Sequence, residues 1–366
     1  MKAYNENSLV NVSNSILKHF GVDTFHNSMK ELDDALKGYK KVVIVLFDGM
    51  GRNIVREHLK EKSFIRQHYF KTINSTFPPT TAAATTSLLT AKYPIETGWI
   101  GWATYFKEYD RNIILFRGKD NNTGEDLGDP FIAYKKYPNK TIFDYINEKE
   151  TAKAVAIQRY PIQNDGPKTL RKGAKMIKNV LKGNDNCFIY FYWDSPDREM
   201  HETGIHSFKT HIQVLKANWF MKKVKKENPD TVFISLADHG HVNVKALDIC
   251  EHEDIYSCLS KKITLEKRAA SFFVKEDKKK EFETLFNKYY GEHFELLTKQ
   301  EVLDMKLFGE GEPKEGVIDS FGDYLAISKD EYMIVASKES VHHGRPFKGH
   351  HAGGTKEERE IDVSVY

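Results

Sequence analysis

Aspartate and histidine side chains recur in four short stretches of this chain, at spacings that could bind metal ions. Carboxylate and imidazole ligands without cysteine are typical of catalytic zinc or manganese sites. Five or six of them are enough for two divalent ions, and two ions about 3.5–4 Å apart can clamp a phosphoryl group. The stretches are "DGMG" with Asp48, "DSPDREMH" with Asp194, Asp197 and His201, "DHGH" with Asp238, His239 and His241, and "KGHHAGG" with His350 and His351.

The stretch "FPPTTAAATTSLLT" at 77–90 offers a group that could attack a phosphorus atom. Two prolines precede Thr80 and Thr81, which lie at the start of a helix predicted over 82–90. A helix N-terminus presents unpaired N–H groups and partial positive charge to a phosphate. A threonine hydroxyl bound to a metal ion has a lowered pKa and becomes a nucleophile. Taken alone, the same composition is typical of a closely packed helix with hydroxyl caps.

Each acidic stretch also has a structural interpretation. An aspartate between a strand and a glycine, such as Asp48, is often a turn residue or a helix cap. Asp197 and His201 lie four residues apart, so on a helix they would share one face and could share a hydrogen bond instead of an ion. "DHGH" alone could be a polar turn. Metal binding is favoured only if the fold brings the stretches together.

The elements between these stretches predict an α/β fold that does so. Continuous apolar runs of strand length alternate with helical patterns, which is typical of a doubly wound, mainly parallel sheet with helices on both faces. Functional groups of such sheets gather beyond the carboxyl ends of the strands, where three of the stretches lie. The predicted strands are "KVVIVLF" (41–47), "AVAIQ" (154–158), "CFIYFYW" (187–193) and "TVFISLA" (231–237), and the predicted helices are 166–182 and 206–228.

The pattern changes after residue 245 and predicts a small inserted α+β subdomain at 251–317, with 1–250 and 318–366 forming the core. The strand "YLAIS" (324–328) and the histidine-rich tail are expected to return to the core. Residues 99–138 lack clear periodicity and are expected to form a loop or a hairpin over the site. The subdomain elements are "RAASFFV" (268–274), a helix near 276–290, "HFELLT" (293–298), a helix near 299–306 and an exit loop at 308–316.

Composition bounds the class of protein. The chain has 366 residues, 40% of them hydrophobic and 29% charged, and a formal net charge of +3, as in soluble globular proteins. No uncharged apolar run is long enough to span a bilayer, and the basic runs are interleaved with acids, so neither a membrane nor a nucleic acid is expected as a partner. The N-terminal sequence lacks a secretory signal, and three unpaired cysteines suit a reducing compartment, which predicts a cytoplasmic location.

Taken in order, five stretches resemble the metal-site motifs of the alkaline phosphatase superfamily, nearest to its nucleotide pyrophosphatase/phosphodiesterase branch. The blocks lie within 41–355, so the resemblance covers nearly the whole chain outside the subdomain. It implies an alkaline-phosphatase-like fold and a two-metal hydrolase of phosphate esters that acts through a covalent phosphothreonine. The stretches are "LFDGMG", "FPPTTAAATTSLLTAKYP", "YWDSPDREMHETG", "LADHGH" and "GHHAGG".

The resemblance also implies a ligand set. Thr81 is preferred to Thr80 because the family places its nucleophile four residues after the phenylalanine of a Phe-Pro pair, which is Phe77 here. His351 is preferred to His350, which stays an alternative, because the family's ligand directly precedes a small, glycine-rich turn. Two divalent ions are expected, zinc in the first place and manganese as an alternative. One ion would be held by Asp48, Thr81, Asp238 and His239, and the other by Asp197, His201 and His351.

One departure leaves the substrate open. Phosphodiesterases of this branch carry an asparagine about twenty residues after the nucleophile, where Trp102 stands here. A backbone N–H group or Tyr192 could replace its phosphoryl contact, so Trp102 and Tyr192 are the candidate substrate-binding residues. Trp99 and Trp102 could also form an aromatic wall for a base or pack the loop onto the core.

The expected substrate is therefore a small phosphate ester, nucleotides included. The preferred activity is that of a phosphodiesterase or nucleotide pyrophosphatase. A phosphomonoesterase, a phosphonate hydrolase and a phosphomutase are alternatives on the same metal site. A non-catalytic phospholigand-binding protein is the alternative from another class. A sulfatase is disfavoured because the chain has no Cys- or Ser-x-Pro-x-Arg motif. The sequence does not define the oligomeric state.

Overall fold

The structure is a computed structural model that describes residues 7–337 and 346–366. In chain order the strands are β1 (Lys41–Phe47), β2 (Tyr69–Asn74), β3 (Ala103–Phe106), β4 (Arg111–Ile114), β5 (Lys119–Asp120), β6 (Lys153–Gln158), β7 (Cys187–Trp193), β8 (Val232–Leu236), β9 (Val242–Asn243), β10 (Lys245–Asp248), β11 (Thr264–Leu265), β12 (Ala269–Phe272), β13 (Phe294–Thr298), β14 (Tyr324–Ser328), β15 (Tyr332–Val335), β16 (Gly349–His350) and β17 (Glu360–Val365).

The α-helices are α1 (Leu9–His19), α2 (Lys30–Leu36), α3 (Arg52–His58), α4 (Phe64–Gln67), α5 (Thr81–Thr90), α6 (Pro94–Thr97), α7 (Ile132–Lys136), α8 (Ile142–Glu148), α9 (Leu170–Gly183), α10 (Asp197–Thr203), α11 (Phe208–Glu227), α12 (Glu253–Ser257), α13 (Lys279–Tyr290), α14 (Lys299–Asp304) and α15 (Lys356–Arg359). Single 3₁₀ turns span Ile249–Glu251, Glu276–Lys278 and Ile318–Ser320. Among these helices, none has the length and apolar character that crossing a lipid bilayer requires.

Within the described residues, six strands form the central sheet in the order β2-β17-β8-β1-β7-β6. The strands β8, β1, β7 and β6 run parallel, and β17 is antiparallel to both of its neighbours. Strand β7 is buried along its whole length, as expected of a parallel strand covered on both faces. Helices α3, α4, α9 and α10 pack on α11, and α2, α5 and α8 pack on α1. The structure confirms the predicted α/β class and the predicted core strands to within one residue at each end.

A second sheet forms, in the part of the chain that the structure describes, from seven antiparallel strands in the order β13-β14-β12-β11-β3-β4-β5. Residues 103–120 therefore form hairpin strands, one of the two alternatives for that segment. Strand β14 (Tyr324–Ser328) pairs with β12 and β13, so it lies in the second sheet and not in the central one. A short apolar run predicts a strand but not its partner. The boundaries of a subdomain at 251–317 stay a prediction, and the sheet includes strands on both sides of that range.

Candidate active site

The carboxyl ends of β1, β7 and β8 place three aspartates at one edge of the central sheet. Asp48 directly follows β1. Its backbone N–H donates to the Trp193 carbonyl at 2.9 Å, and its backbone carbonyl accepts the Asp197 N–H at 3.0 Å. Asp238 comes two residues after β8. Gly49 has φ of +71°, and a Cβ atom there would lie 2.9 Å from Asp197 Cβ, so a glycine is required for this close approach. The fold thus brings together the acidic stretches that the sequence separates by up to 190 positions.

The two candidate threonines contact different groups. Thr80 is the N-cap of α5, and Thr81 is the first residue of the helix. The Thr81 hydroxyl lies 3.2 Å from His239 Nε2 and 3.4 Å from Asp48 Oδ1. The Thr80 side chain is hydrogen bonded to the Glu266 carboxyl instead. Of the two hydroxyl groups, that of Thr81 is therefore the one beside the aspartate and histidine cluster.

Asp238 is held by the backbone on one oxygen only. Its Oδ1 accepts the Gly49 N–H at 3.1 Å and the His239 N–H at 3.0 Å. Its Oδ2 is buried and lacks a hydrogen-bond partner among the described residues, and it lies 3.5 Å from His239 Nε2. Buried polar atoms are nearly always satisfied, so an orphaned carboxylate oxygen facing an imidazole nitrogen fits a cation between them.

Burial and mutual repulsion shift the pKa values of these acids. Burial raises the pKa of Asp48 well above its usual value, and the charges of Asp238 and Asp197 raise it further. Burial also raises the pKa of Asp238 to about 7. For Asp197, burial again acts to raise the pKa, but His201 and the hydrogen bond from His241 hold it below the usual range. The site thus concentrates more carboxylate charge than its own histidines compensate, which is the electrostatic environment of a cation site.

A second group of ligand atoms lies around Asp197. One atom each from Asp197, His201, His241 and His351 can be chosen so that all lie within 4.8 Å of one another. The distances from Nε2 to the nearer Asp197 oxygen are 3.1 Å for His241, 3.4 Å for His201 and 3.7 Å for His351. The family resemblance implied three of these four residues, Asp197, His201 and His351, as the ligands of one ion, and the fold brings those three together.

Two of these imidazole rings are oriented by backbone carbonyl groups. His201 Nδ1 lies 2.9 Å from the Gly349 oxygen, and His351 Nδ1 lies 3.1 Å from the Pro79 oxygen. A ring whose Nδ1–H donates to a carbonyl presents an unprotonated Nε2, the form that binds metal ions. Both rings therefore present Nε2 toward Asp197, as ligands of a common ion would.

The two groups adjoin. Asp48, Asp197 and His239 also offer ligand atoms within 4.8 Å of one another, so Asp197 belongs to both groups. The rings of His239 and His351 are stacked with centroids 3.7 Å apart. Adjoining clusters of carboxylate and imidazole groups fit a pair of divalent cations.

Two neighbouring histidines of the sequence motifs differ in their contacts. His350, the alternative to His351, has its Nδ1 2.9 Å from the His351 carbonyl oxygen, and it is not part of either ligand group. His241 was named in "DHGH" without a role, yet it is fully buried and contacts Asp197. Its Nδ1 has no hydrogen-bond partner within 7–337 and 346–366. The sequence feature that could have indicated a third histidine ligand at Asp197 is the His-Gly-His order at 239–241.

The candidate substrate-binding residues are engaged by protein groups. The Tyr192 hydroxyl donates to Asp48 Oδ2, and the Trp102 backbone N–H donates to Glu266 Oε1 at 2.7 Å. The Trp102 ring is half-buried, with the Arg117 guanidinium 5.5 Å from its centroid. Neither proposed replacement for the missing asparagine is therefore an unused donor in this structure. Glu266, buried at this position, had no motif to mark it.

Trp99 and Asp194, both named in the sequence analysis, contact other protein groups and do not belong to either ligand group. Trp99 is 2% exposed and packs against Phe116, with ring centroids 5.1 Å apart. This burial favours the interpretation that Trp99 packs the loop onto the protein. Asp194 pairs with Arg159 and lies 3.7 Å from Arg198, as expected of an acid outside the ligand groups.

Comparisons with known proteins agree with this arrangement. A family model for type I phosphodiesterase / nucleotide pyrophosphatase matches residues 42–353. None of the curated proteins compared with the chain matches it. Among solved structures, inactive murine ectonucleotide pyrophosphatase / phosphodiesterase 5 in complex with AMP is similar at a TM-score of 0.64 and 14% identity, over 89% of this chain and 87% of that chain. The human counterpart is similar at 0.66 and 13%, over the same shares. At these identities the structural likeness shows a shared fold.

Proposed function

The chain belongs to the type I phosphodiesterase/nucleotide pyrophosphatase family of metal-dependent enzymes, and on that premise we propose that it hydrolyses phosphate diesters through a covalent phosphothreonine at Thr81. The observation that carries the proposal is the position of the Thr81 hydroxyl, 3.4 Å from Asp48 Oδ1 and 3.2 Å from His239 Nε2. Thr81 also begins a ten-residue helix, whose unpaired N–H groups favour an anion at this end.

The ligand groups support a two-metal site. Bound divalent ions would lower the pKa of the threonine hydroxyl and neutralise charge on the phosphoryl oxygens. Zinc suits the aspartate and histidine donors, and manganese is the alternative. We assign Asp48, Thr81, Asp238 and His239 to one ion and Asp197, His201 and His351 to the other.

In the proposed reaction the side chain of Thr81 does the covalent chemistry. Thr81 Oγ attacks phosphorus as its proton passes to solvent, the bond from phosphorus to the leaving oxygen breaks, and that oxygen departs as an alcohol after protonation. Water then attacks the phosphothreonine on phosphorus, the bond to Oγ breaks, and the threonine hydroxyl is restored. Asp48 and His239 hold Oγ in position from two sides, which favours one direction of attack.

Nucleotides are the proposed substrate class. The murine relative was solved with AMP, and the half-buried Trp102 ring of this chain offers a surface on which a base could stack. The predicted cytoplasmic location stays a prediction.

Replacing the nucleophile tests the mechanism. Thr81→Ala should keep its metal content, measured by elemental analysis, because three side chains of that group remain, while turnover of bis-p-nitrophenyl phosphate falls by roughly three orders of magnitude or more. Thr86→Ala is the matched control, since Thr86 lies on the same helix outside the ligand groups. Full activity in Thr81→Ala would exclude the covalent mechanism. Parallel loss of metal and activity would assign Thr81 to metal binding alone.

A further inference from the structure

The turn between β11 and β12 carries three charged residues in succession, and the protein covers them. Glu266 is 8% exposed and Arg268 is fully buried, while Lys267 is half-buried. Charged residues are rarely buried without a partner. Arg268 has one, because its guanidinium forms a two-pronged ion pair with Glu358 at 2.6 and 2.9 Å. Glu266 therefore needs a separate explanation.

The Glu266 carboxyl contacts only neutral donors. It accepts the Trp102 N–H at 2.7 Å and a hydrogen bond from the Thr80 side chain. Within the described ranges it forms no ion pair, although Lys267 and His239 are the charged or titratable groups near it. The Lys267 ammonium lies instead over the Phe347 ring, 4.2 Å from its centroid. The Glu266 carboxyl is thus buried against Thr80, the residue before the proposed nucleophile, and no ion pair within the described residues neutralises it.

The backbone fixes the carboxyl at this place. Leu265 has φ of +70°, a left-handed conformation that is costly for a leucine and persists only where the surroundings impose it. Leu265 pairs with Ala103 across the second sheet, and a Cβ atom on Gly101 would lie 3.3 Å from Leu265 Cδ2. The close packing of these two segments holds the Glu266 carboxyl against the Trp102 backbone N–H.

We propose that Glu266 determines which phosphate charge the site accepts, by favouring singly charged phosphodiesters over doubly charged phosphomonoesters. The inference rests on the proposed phosphoryl-transfer function. A monoester carries a second negative charge near neutral pH, because its second pKa is about 6, whereas a diester carries one. A carboxylate in contact with Thr80, the residue before the proposed nucleophile, therefore repels a monoester more strongly.

The ionisation of Glu266 agrees with this role. Burial raises the pKa of its carboxyl to about 7 in the metal-free chain. Two divalent cations near His239 would lower that pKa and favour the anion. With both ions bound, the Glu266 carboxyl would then be the anion near neutral pH.

Removal of the charge at constant shape tests the proposal. Glu266→Gln in the zinc-loaded enzyme should raise the ratio of kcat/KM for p-nitrophenyl phosphate to that for bis-p-nitrophenyl phosphate by roughly tenfold. Thr80→Val removes a hydrogen-bond partner of the carboxyl but keeps its charge, so the ratio should not change. A purely structural role would lower both rates by one factor in Glu266→Gln, and this constant ratio would overturn the proposal.

A second variant and a binding measurement keep the test open to refutation. Glu266→Ala also removes the charge and should raise the same ratio if the glutamine variant does not fold. If the wild-type enzyme hydrolyses neither ester, the proposed function fails, and calorimetry with orthophosphate and dimethyl phosphate tests Glu266 on its own. Tighter orthophosphate binding to Glu266→Gln, with dimethyl phosphate binding unchanged, supports the assignment. Equal changes for both anions contradict it.

Discussion

Asp238→Asn should stabilise the metal-free chain and abolish its stabilisation by metal ions. The asparagine oxygen can still accept the N–H groups of Gly49 and His239, which bind Asp238 Oδ1 at 3.1 and 3.0 Å. Its amide nitrogen would replace Oδ2, which has no hydrogen-bond partner among the described residues, and could donate to Asp48. The substitution thus removes a charge while the shape of the site is kept.

The size of the effect follows from the pKa of Asp238. Burial is the largest cause that raises this pKa, from 3.8 to about 7, so the folded chain binds more protons than the unfolded chain between these values. Stability due to this group is therefore fully present below the unfolded pKa and is lost as the pH rises to about 7. At about 1.4 kcal/mol for each pKa unit, burial of Asp238 costs the metal-free fold up to about 4 kcal/mol at pH 8, where the carboxylate is ionised, and roughly 1–2 kcal/mol at pH 5, where the chain must bind a proton as it folds.

Urea unfolding of the chelated protein at pH 5 and pH 8, followed by tryptophan fluorescence, measures this difference. Asp238→Asn should exceed the wild type in free energy of unfolding at both pH values, and the gain should be larger at pH 8. Asp230→Asn, at an exposed position in the loop before β8, is the control and should show no such increase. With zinc added, only the wild type and the control should become more stable. A variant that is less stable than the wild type at pH 8 without metal would refute the electrostatic reasoning.

Two further substitutions test residues that hold the proposed ligands and a buried carboxylate in place. Tyr192→Phe removes the hydroxyl that donates to Asp48 Oδ2, and we expect metal affinity in a chelator competition titration to fall by about 10–100-fold; unchanged affinity would show that this hydrogen bond does not tune the ligand. Arg268→Met leaves the fully buried Glu358 carboxylate without its ion-pair partner and should cost about 3–5 kcal/mol in urea unfolding. The double variant with Glu358→Leu should recover only part of that loss, because it removes the unpaired charge but also the acceptor of the Gly353 N–H; an unchanged midpoint in the single variant would contradict the argument.

The sequence predicts the four parallel strands of the central sheet well because they are continuous apolar runs, and acids follow three of them; β2 and β17, which are more polar, were not predicted. In parallel neighbours such as β1, β7 and β8, the carboxyl ends lie at one edge by construction. The proximity of Asp48, Asp197 and Asp238 therefore follows from the strand assignment and the parallel topology alone. That Thr81, at the start of α5, belongs to the same site followed only from the resemblance to a known enzyme family.

The second sheet could not be predicted in the same way. Its strands come from segments at 103–120, 264–298 and 324–328, and a strand pattern does not identify a pairing partner over such separations. The hydrogen bond between Trp102 and Glu266 spans 164 positions. Nothing in the local sequence of Glu266 distinguishes a buried, functional acid from a solvated one. No role was assigned to His241 for a similar reason, since its contact with Asp197 joins the segment after β8 to the first residue of α10.

The two sheets contribute different residues to the site. The central sheet supplies the carboxylates that would hold the metal ions, and the ends of its strands position them. The second sheet reaches the same site through the turn at 266–268, where Glu266 meets Thr80 and Trp102. The next residue but one, Arg268, fixes Glu358, which in turn accepts the Gly353 N–H at 2.7 Å, two residues after His351. Substitution at Glu266 should therefore change which substrate is accepted, whereas substitution at Arg268 should change the stability of the metal site, although both lie on one turn.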